Sequence, residues 1–257
     1  MLPIIKVIIY GSSGKMCQVL SEQLIKEIDM KIVAGIDKNV NNNTGLYPVY
    51  SNPYDYNGEV DVIIDFSHPS CLEQMLDFSL DRKIPLVIAT TGYSDEQVEK
   101  IKKASMKIPI FYSSNYSLGI NVLTRALREI SQMLSEDFDI EIIEKHHSRK
   151  LDAPSGTAYL LANVINESLG NSKKFIYSRY GKDAKREANE IGIHAVRGGT
   201  IPGEHTVIFA GTDEIIEIKH TALSKRNFAL GAIRAARFII TVERGLYSMD
   251  DIFVSNK

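Results

Sequence analysis

Between residues 146 and 158 the chain reads His146-His147-Ser148-Arg149-Lys150-Leu151-Asp152-Ala153-Pro154-Ser155-Gly156-Thr157-Ala158. Imidazoles and an ammonium are proton carriers, the imidazole near neutral pH. A helix N-terminus beside Lys and Arg is a receptor for a carboxylate or phosphate. Both ingredients are present here. Phe138 to Glu144 has the β-branched content of a strand. Strand side chains alternate between faces, so His146 and His147 are expected to diverge and to serve different roles. A zinc site built on them lacks a Cys or a further His at ligand spacing, and no metal is expected. After the Pro-Ser-Gly-Thr turn, Leu161, Val164, Ile165 and Leu169 fall at helical spacing and Gly170 stands where a C-cap belongs. Ser155 is placed to cap that helix, with Gly156 and Thr157 exposing its first N–H groups. Residue types and spacing alone leave a solvated loop between strand and helix as an equal alternative.

A second constellation lies at the other end. Residues 4–10 are an apolar run, followed by Gly11-Ser12-Ser13-Gly14-Lys15-Met16-Cys17. Met16, Leu20, Leu24 and Ile28 then recur every four residues, one face of a helix. Lys31 to Ile36 is a second strand ending in Asp37. Strand, glycine turn, helix, strand, acid is the order of a dinucleotide-binding βαβ unit, with Asp37 close to the offset of about 20 residues at which an acid meets the adenosine ribose. The general fingerprint wants glycines where this chain has Gly11, Ser13 and Met16, so the glycines taken strictly also fit a plain tight turn. An acid favours NAD, whereas the adjacent Lys38 offers a cation for the 2′-phosphate of NADP. Mixed use of NADH and NADPH is expected.

Around these sites the chain alternates strand and helix. Val60 to Phe66, Pro85 to Ala89 and Ile108 to Tyr112 read as buried parallel strands. The loops that leave the last two, Thr90-Thr91-Gly92-Tyr93 and Ser113-Ser114-Asn115-Tyr116, lie at the carboxyl edge where doubly wound sheets bind ligands. Ser94 and Gln97 form a capping box. His68 reads as solvent-facing, and Lys38 to Gly58 as an irregular polar edge. Gly119 to Leu134 is a helix, Lys173 to Asn189 a polar surface connector, and Ile191–Arg197, His205–Ala210 and Glu214–His220 three strands. The last two flank a Gly211-Thr212-Asp213 hairpin turn. His194, His205 and His220 are expected to support structure rather than catalyse. Ser224 to Arg244 reads as one long helix. Runs of strand and then helix point to an α+β unit with an open sheet, which a homo-oligomer would cover.

The ungapped run His-His-x-x-Lys-x-Asp-Ala-Pro-Ser-Gly-Thr-Ala resembles the signature of the 4-hydroxy-tetrahydrodipicolinate reductase (dihydrodipicolinate reductase) family of lysine and diaminopimelate biosynthesis. That family's glycine turn is Gly-x-x-Gly-x-Met-Gly. Gly11, Gly14 and Met16 fit it, while Cys17 replaces its last glycine at some expected cost in packing. Arg197 to His205 resembles another family segment. The resemblance implies an α/β fold: a Rossmann-type parallel sheet completed by the C-terminal helix, plus an α+β substrate-binding and oligomerisation domain with an open mixed sheet. The dinucleotide domain would be discontinuous, 1–116 with 227–257, and the second domain would be 117–226. It further implies NAD(P)H-dependent reduction of a small cyclic dicarboxylate, with His146 and Lys150 handling the proton and His147, Ser155, Gly156 and Thr157 binding substrate. Gly11, Ser12, Ser13, Gly14, Lys15, Met16, Asp37, Lys38, Ala89, Thr90, Thr91, Ser113, Ser114, Asn115 and Tyr116 would hold the cofactor, and the assembly would be a homotetramer. Whether His146 or Lys150 delivers the proton stays open. Two rival readings are another Rossmann-type reductase acting on a small carboxylic acid and a non-catalytic NAD(P)-sensing module. Neither has a use for the complete 146–157 set.

Composition agrees with an ordinary globular enzyme. The 257 residues are 44% hydrophobic and 24% charged, with a net charge of −2, which gives no electrostatic case for nucleic acid. No apolar run approaches a membrane span, and two cysteines suit a reducing compartment, so a cytoplasmic location is expected.

Overall fold

The structure is a computed structural model and describes residues 3–40 and 45–254. Contacts divide the chain into two units, one made of residues up to Leu118 together with those from Lys225 onward, the other of Gly119–Ser224.

In the first unit, β1 (Ile5–Tyr10), β2 (Met30–Ile36), β3 (Val49–Tyr50), β4 (Val62–Asp65), β5 (Leu86–Ile88), β6 (Pro109–Tyr112) and β12 (Gly245–Tyr247) form one sheet in the order β12-β6-β5-β4-β1-β2-β3. Every neighbouring pair is parallel. Helices cover both faces, which is why the central strands are apolar throughout. Val7, Ile9, Val62 and Ile64 point to the face packed by α1 (Lys15–Leu24) and α6 (Arg226–Ile239). Ile8, Tyr10 and Ile63 point to the face of α2 (Leu72–Arg82) and α3 (Asp95–Ser105). Ser94 and Gln97 exchange both bonds of the capping box at the start of α3. Arg237 of α6 ties this late helix to the turn before β2, reaching Asp29 at 2.8 and 2.7 Å and Glu27 at 2.6 Å. A Cβ on Gly231 would overlap the Tyr116 carbonyl oxygen, so only glycine lets α6 lie this close to the end of β6.

Two expectations change. The long helix expected to Arg244 ends at Ile239, and three later residues become the edge strand β12, followed by α7 (Met249–Val254). A three-residue strand is too short to show a period. Within the polar loop from Lys38 to Gly58, residues 41–44 lie outside the described residues, and the remainder holds β3 and a 3-10 turn at Pro53–Asp55.

In the second unit, α4 (Leu118–Leu134) leads into β7 (Asp139–His146), α5 (Gly156–Ser168), β8 (Lys174–Tyr177), β9 (Glu190–Arg197), β10 (Glu204–Ala210) and β11 (Ile215–Thr221). The sheet order is β11-β10-β7-β9-β8, mixed in direction: β7 is antiparallel to β10 and parallel to β9. One face is packed by α4 and α5 through Leu123, Leu127, Leu161 and Ile165 against Ile140, Ile142, Val207 and Phe209. The connector expected over 173–189 therefore contains a strand, β8, whose four residues give no clear alternation. Gly211 N–H bonds Glu214 O at 2.9 Å and closes the expected hairpin. Among the described residues no helix is long and apolar enough to cross a membrane.

Candidate active site

The first unit carries a cleft of about 670 Å³ at the carboxyl ends of β1, β2 and β4, where the strand order reverses. Gly11, Gly14, Asp37 and Lys38 line it, with Phe66, Ser67 and His68 opposite. Gly11 has φ of 83°, and a Cβ on it would stand 2.7 Å from the Ser67 Cα, so a side chain there would force β1 and β4 apart. The Asp37 carboxylate accepts the Ser13 and Asn39 N–H groups, each at 2.9 Å. These bonds fix the acid at the cleft rim and leave further lone pairs for hydroxyl donors. The N-terminus of α1 has no side-chain cap and no acid in its first turn, so its N–H groups stand ready for a pyrophosphate. These features fit a nicotinamide dinucleotide.

Cys17 is fully buried beneath this turn, 3.5 Å from the Tyr10 carbonyl oxygen. The sulfur thus fills the helix–strand contact without reaching the cleft lining. Met16 packs on the core, Lys15 is exposed, and Ser12 is buried. His68 is exposed as expected, yet it also caps the following 3-10 turn by accepting the Ser70 N–H and borders the cleft.

Beyond this cleft, the loops after β5 and β6 occupy the same edge of the sheet. Ala89 and Thr90 are buried, Thr91 and Ser114 are exposed, and Ser113 is partly buried. Asn115 accepts the Ser117 N–H at 2.8 Å. Tyr116 is buried: its ring points inward and its hydroxyl donates to Ile88 O at 2.8 Å, while its carbonyl lies against Gly231 of α6.

In the second unit the basic turn joins the end of β7 to α5. Ser155 is the N-cap, accepting the Ala158 N–H at 3.2 Å, and its hydroxyl also bonds His205 Nε2 at 2.8 Å. No acid occupies the first turn of α5, and a Cβ on Gly156 would meet nothing within 4 Å, so this helix start is open. His146 turns back along β7 and bonds Glu144 through Nδ1 at 2.6 Å. Its ring meets His205 edge-on at 5.2 Å. His147 has a buried Nδ1 without a partner among the described residues. Lys150 pairs with Asp152 at 2.8 Å and holds that acid below its usual range.

Glu144 is completely buried. Burial by itself raises its carboxyl, but Arg197, then His146 and the Ser155 N–H, outweigh burial and hold it below the ordinary value. His205 is driven the other way: burial first, and the nearby His146 second, push it down to about 4, so it is neutral at physiological pH. Glu144, Arg197 and His205 were absent from the residue-based site. The available signal was the spacing of Glu144 and His146, two apart on one strand and hence on one face.

A parallel sheet with a glycine turn, an acid at the end of its second strand and an open helix start defines a nicotinamide-nucleotide-dependent oxidoreductase scaffold. Comparison with known proteins narrows this. Residues 5–116 match the model for the dihydrodipicolinate reductase N-terminus, and residues 119–253 the model for its C-terminus. The chain therefore belongs to the dihydrodipicolinate reductase family. It is 50% identical over 250 residues to the 4-hydroxy-tetrahydrodipicolinate reductase of Clostridium novyi (strain NT), covering 97% of this chain and 98% of that protein. It is 48% identical to the reductase of the same name from Caldanaerobacter subterraneus subsp. tengcongensis, covering 96% and 98%. A dipicolinate-bound dihydrodipicolinate reductase from Paenisporosarcina sp. TG-14 superposes with a TM-score of 0.79 at 26% identity, covering 97% of this chain and 99% of that one. A myo-inositol dehydrogenase from Corynebacterium glutamicum shares the fold at 14% identity and a TM-score of 0.60, covering 98% and 93%.

Proposed function

We propose that the protein reduces (2S,4S)-4-hydroxy-2,3,4,5-tetrahydrodipicolinate to 2,3,4,5-tetrahydrodipicolinate with loss of water, in lysine and diaminopimelate biosynthesis. The observation that carries this reading is the gathering of His146, Lys150 and the open start of α5 on one turn, without an acid in the helix's first turn. A cyclic dicarboxylate needs that charge pattern. Ser155, Gly156, Thr157 and His147 bind the carboxylates, aided by the partial positive charge of the helix end. Bound NADH or NADPH supplies the hydride. Loss of the 4-hydroxyl with a neighbouring ring proton as water gives a conjugated imine; hydride addition to it leaves negative charge on the substrate, which the Lys150 ammonium stabilises and a proton from the His146–Lys150 pair quenches. Orientation of the diacid is the larger part of the work, since hydride transfer needs near contact.

Asp37 would bond the ribose hydroxyls and Lys38 would receive a 2′-phosphate, so the enzyme uses both NADH and NADPH. The backbones of Ala89, Thr90, Thr91, Ser113, Ser114, Asn115 and Tyr116 would contact the nicotinamide half. The assembly is a homotetramer in the cytoplasm. The sheet face opposite α4 and α5 supports the assembly: Ile143, Thr206 and Ile208 are only half-buried there, and Ile215 on the edge strand is 66% exposed. The deciding experiment supplies freshly generated hydroxytetrahydrodipicolinate with NADH or NADPH and follows loss of reduced nicotinamide. No substrate-dependent oxidation with either nucleotide would end this reading.

A further inference from the structure

We propose that Glu144 is a positioning residue for His146, fixing the imidazole proton on Nδ1 and leaving Nε2 as the nitrogen that exchanges a proton with substrate, with Arg197 keeping Glu144 in the anionic form. This deepens the reading above and rests on it where it assigns His146 a proton.

Counting lone pairs leads to this assignment. Glu144 Oε2 accepts from His146 Nδ1 at 2.6 Å and Arg197 Nη1 at 2.7 Å. Oε1 accepts from Arg197 Nη2 at 2.6 Å and the Ser155 N–H at 2.9 Å. A carboxylate has about four acceptor sites, and all are taken. The guanidinium meets both oxygens in a fork, the arrangement that most strongly favours the ionised acid. A proton on either oxygen would face an Arg197 N–H. An ionised carboxylate only accepts, so His146 Nδ1 must donate, and in the neutral ring Nε2 carries the free lone pair.

The surroundings of Nε2 complete the case. It makes no hydrogen bond among the described residues. A Cβ built on Gly203 would lie 3.2 Å from it, so glycine at 203 keeps that side of the ring clear. His205 holds the ring edge-on at 5.2 Å while its own Nε2 is engaged by Ser155. The ring is therefore gripped at Nδ1 and along one edge, and Nε2 is left open. A carboxylate that merely stapled β7, β9 and α5 together would not need the ring nitrogen as its fourth donor.

Glu144→Gln separates the two roles. It leaves one carbonyl oxygen for Arg197 and turns an amide NH2 toward Nδ1, which then accepts, so the ring proton moves to Nε2. Nitrogen-15 spectra of histidine-labelled protein, taken without substrate at a pH where His146 is neutral, should show the Nδ1–H form in the native protein and the Nε2–H form in Glu144→Gln. Turnover should fall by about 100-fold or more with the KM for nucleotide unchanged. In a His146→Ala background, Glu144→Gln should add little. The native spectrum is decisive even if the variant folds poorly. A native His146 protonated on Nε2, or a turnover loss in the His146→Ala background as large as in the native protein, would overturn the proposal. Normal turnover of His146→Ala is the separate failure of the proton-handling role, read apart from the tautomer because the spectra need no substrate.

Discussion

Each unit sinks one carboxylate entirely into its interior, and the two reach opposite states. Asp65, at the end of β4, accepts the Ser67 N–H at 2.9 Å, the Ser67 hydroxyl and the Tyr93 hydroxyl at 3.3 Å. Burial dominates and raises its carboxyl, and the bonds from Ser67 and Tyr93 only reduce that rise. Glu144 is equally buried but faces a guanidinium, and its carboxyl is lowered. At Asp65 the neutral donors do not outweigh desolvation, whereas at Glu144 a counter-charge does. The difference separates a polar hub that organises the loops after β4 and β5 from a fixed charge beside the imidazole we propose to carry the proton.

The contrast can be broken at several points. The largest effect belongs to Lys150→Ala, expected to lower turnover by about 100- to 10,000-fold with an unchanged circular dichroism spectrum. Near-normal turnover would remove Lys150 from the mechanism. Arg197→Met strands the Glu144 charge inside the protein and should cost about 3 kcal/mol of stability in urea titrations at neutral pH. A loss below about 0.5 kcal/mol would show that Glu144 does not depend on its cation. Ser155→Ala removes the cap of α5 and should cost about 1 kcal/mol, together with a raised KM for the diacid.

Asp65→Asn gives the smallest change and the opposite sign. With its folded pKa above the unfolded value, ionised Asp65 burdens the native state at neutral pH. The variant should therefore be more stable than the native protein near pH 7, by less than Ser155→Ala costs, the gain disappearing below about pH 3.9 where both chains carry a neutral group. Glu144 runs the other way. Its contribution is complete above about pH 4.3 and is lost as pH falls through its lower folded value, so Glu144→Gln should narrow its stability deficit in acid. Urea midpoints measured across that range test both signs at once.

How much of this could be read in the sequence follows from the distance over which each feature is decided. β1 and β4 announced themselves as apolar runs, the α3 capping box as a four-residue pattern, and the Ser155 cap as one residue before a helical period. The strands β8 and β12 did not, because short edge strands bury too little to impose alternation. The turn around His146 and Lys150 was legible as a contiguous string. Its supports were not: Glu144 meets Arg197 across 53 residues of chain, and Ser155 meets His205 across 50. His205 was expected to be structural, and it is a buried neutral ring that holds Ser155; what the sequence could not show is that the same ring lies against His146. Such pairings arise only when β9 and β10 flank β7 in the sheet.

The amide of Ser155 has a further consequence. Its N–H donates to a fully sheltered oxygen that the end of β7 supplies, so isotopic exchange at that position demands separation of the turn from the sheet and not mere fraying of α5. The deuterium uptake of this one N–H should be slow compared with its neighbour at Gly156, and its rate would time how often the turn lets go of its floor.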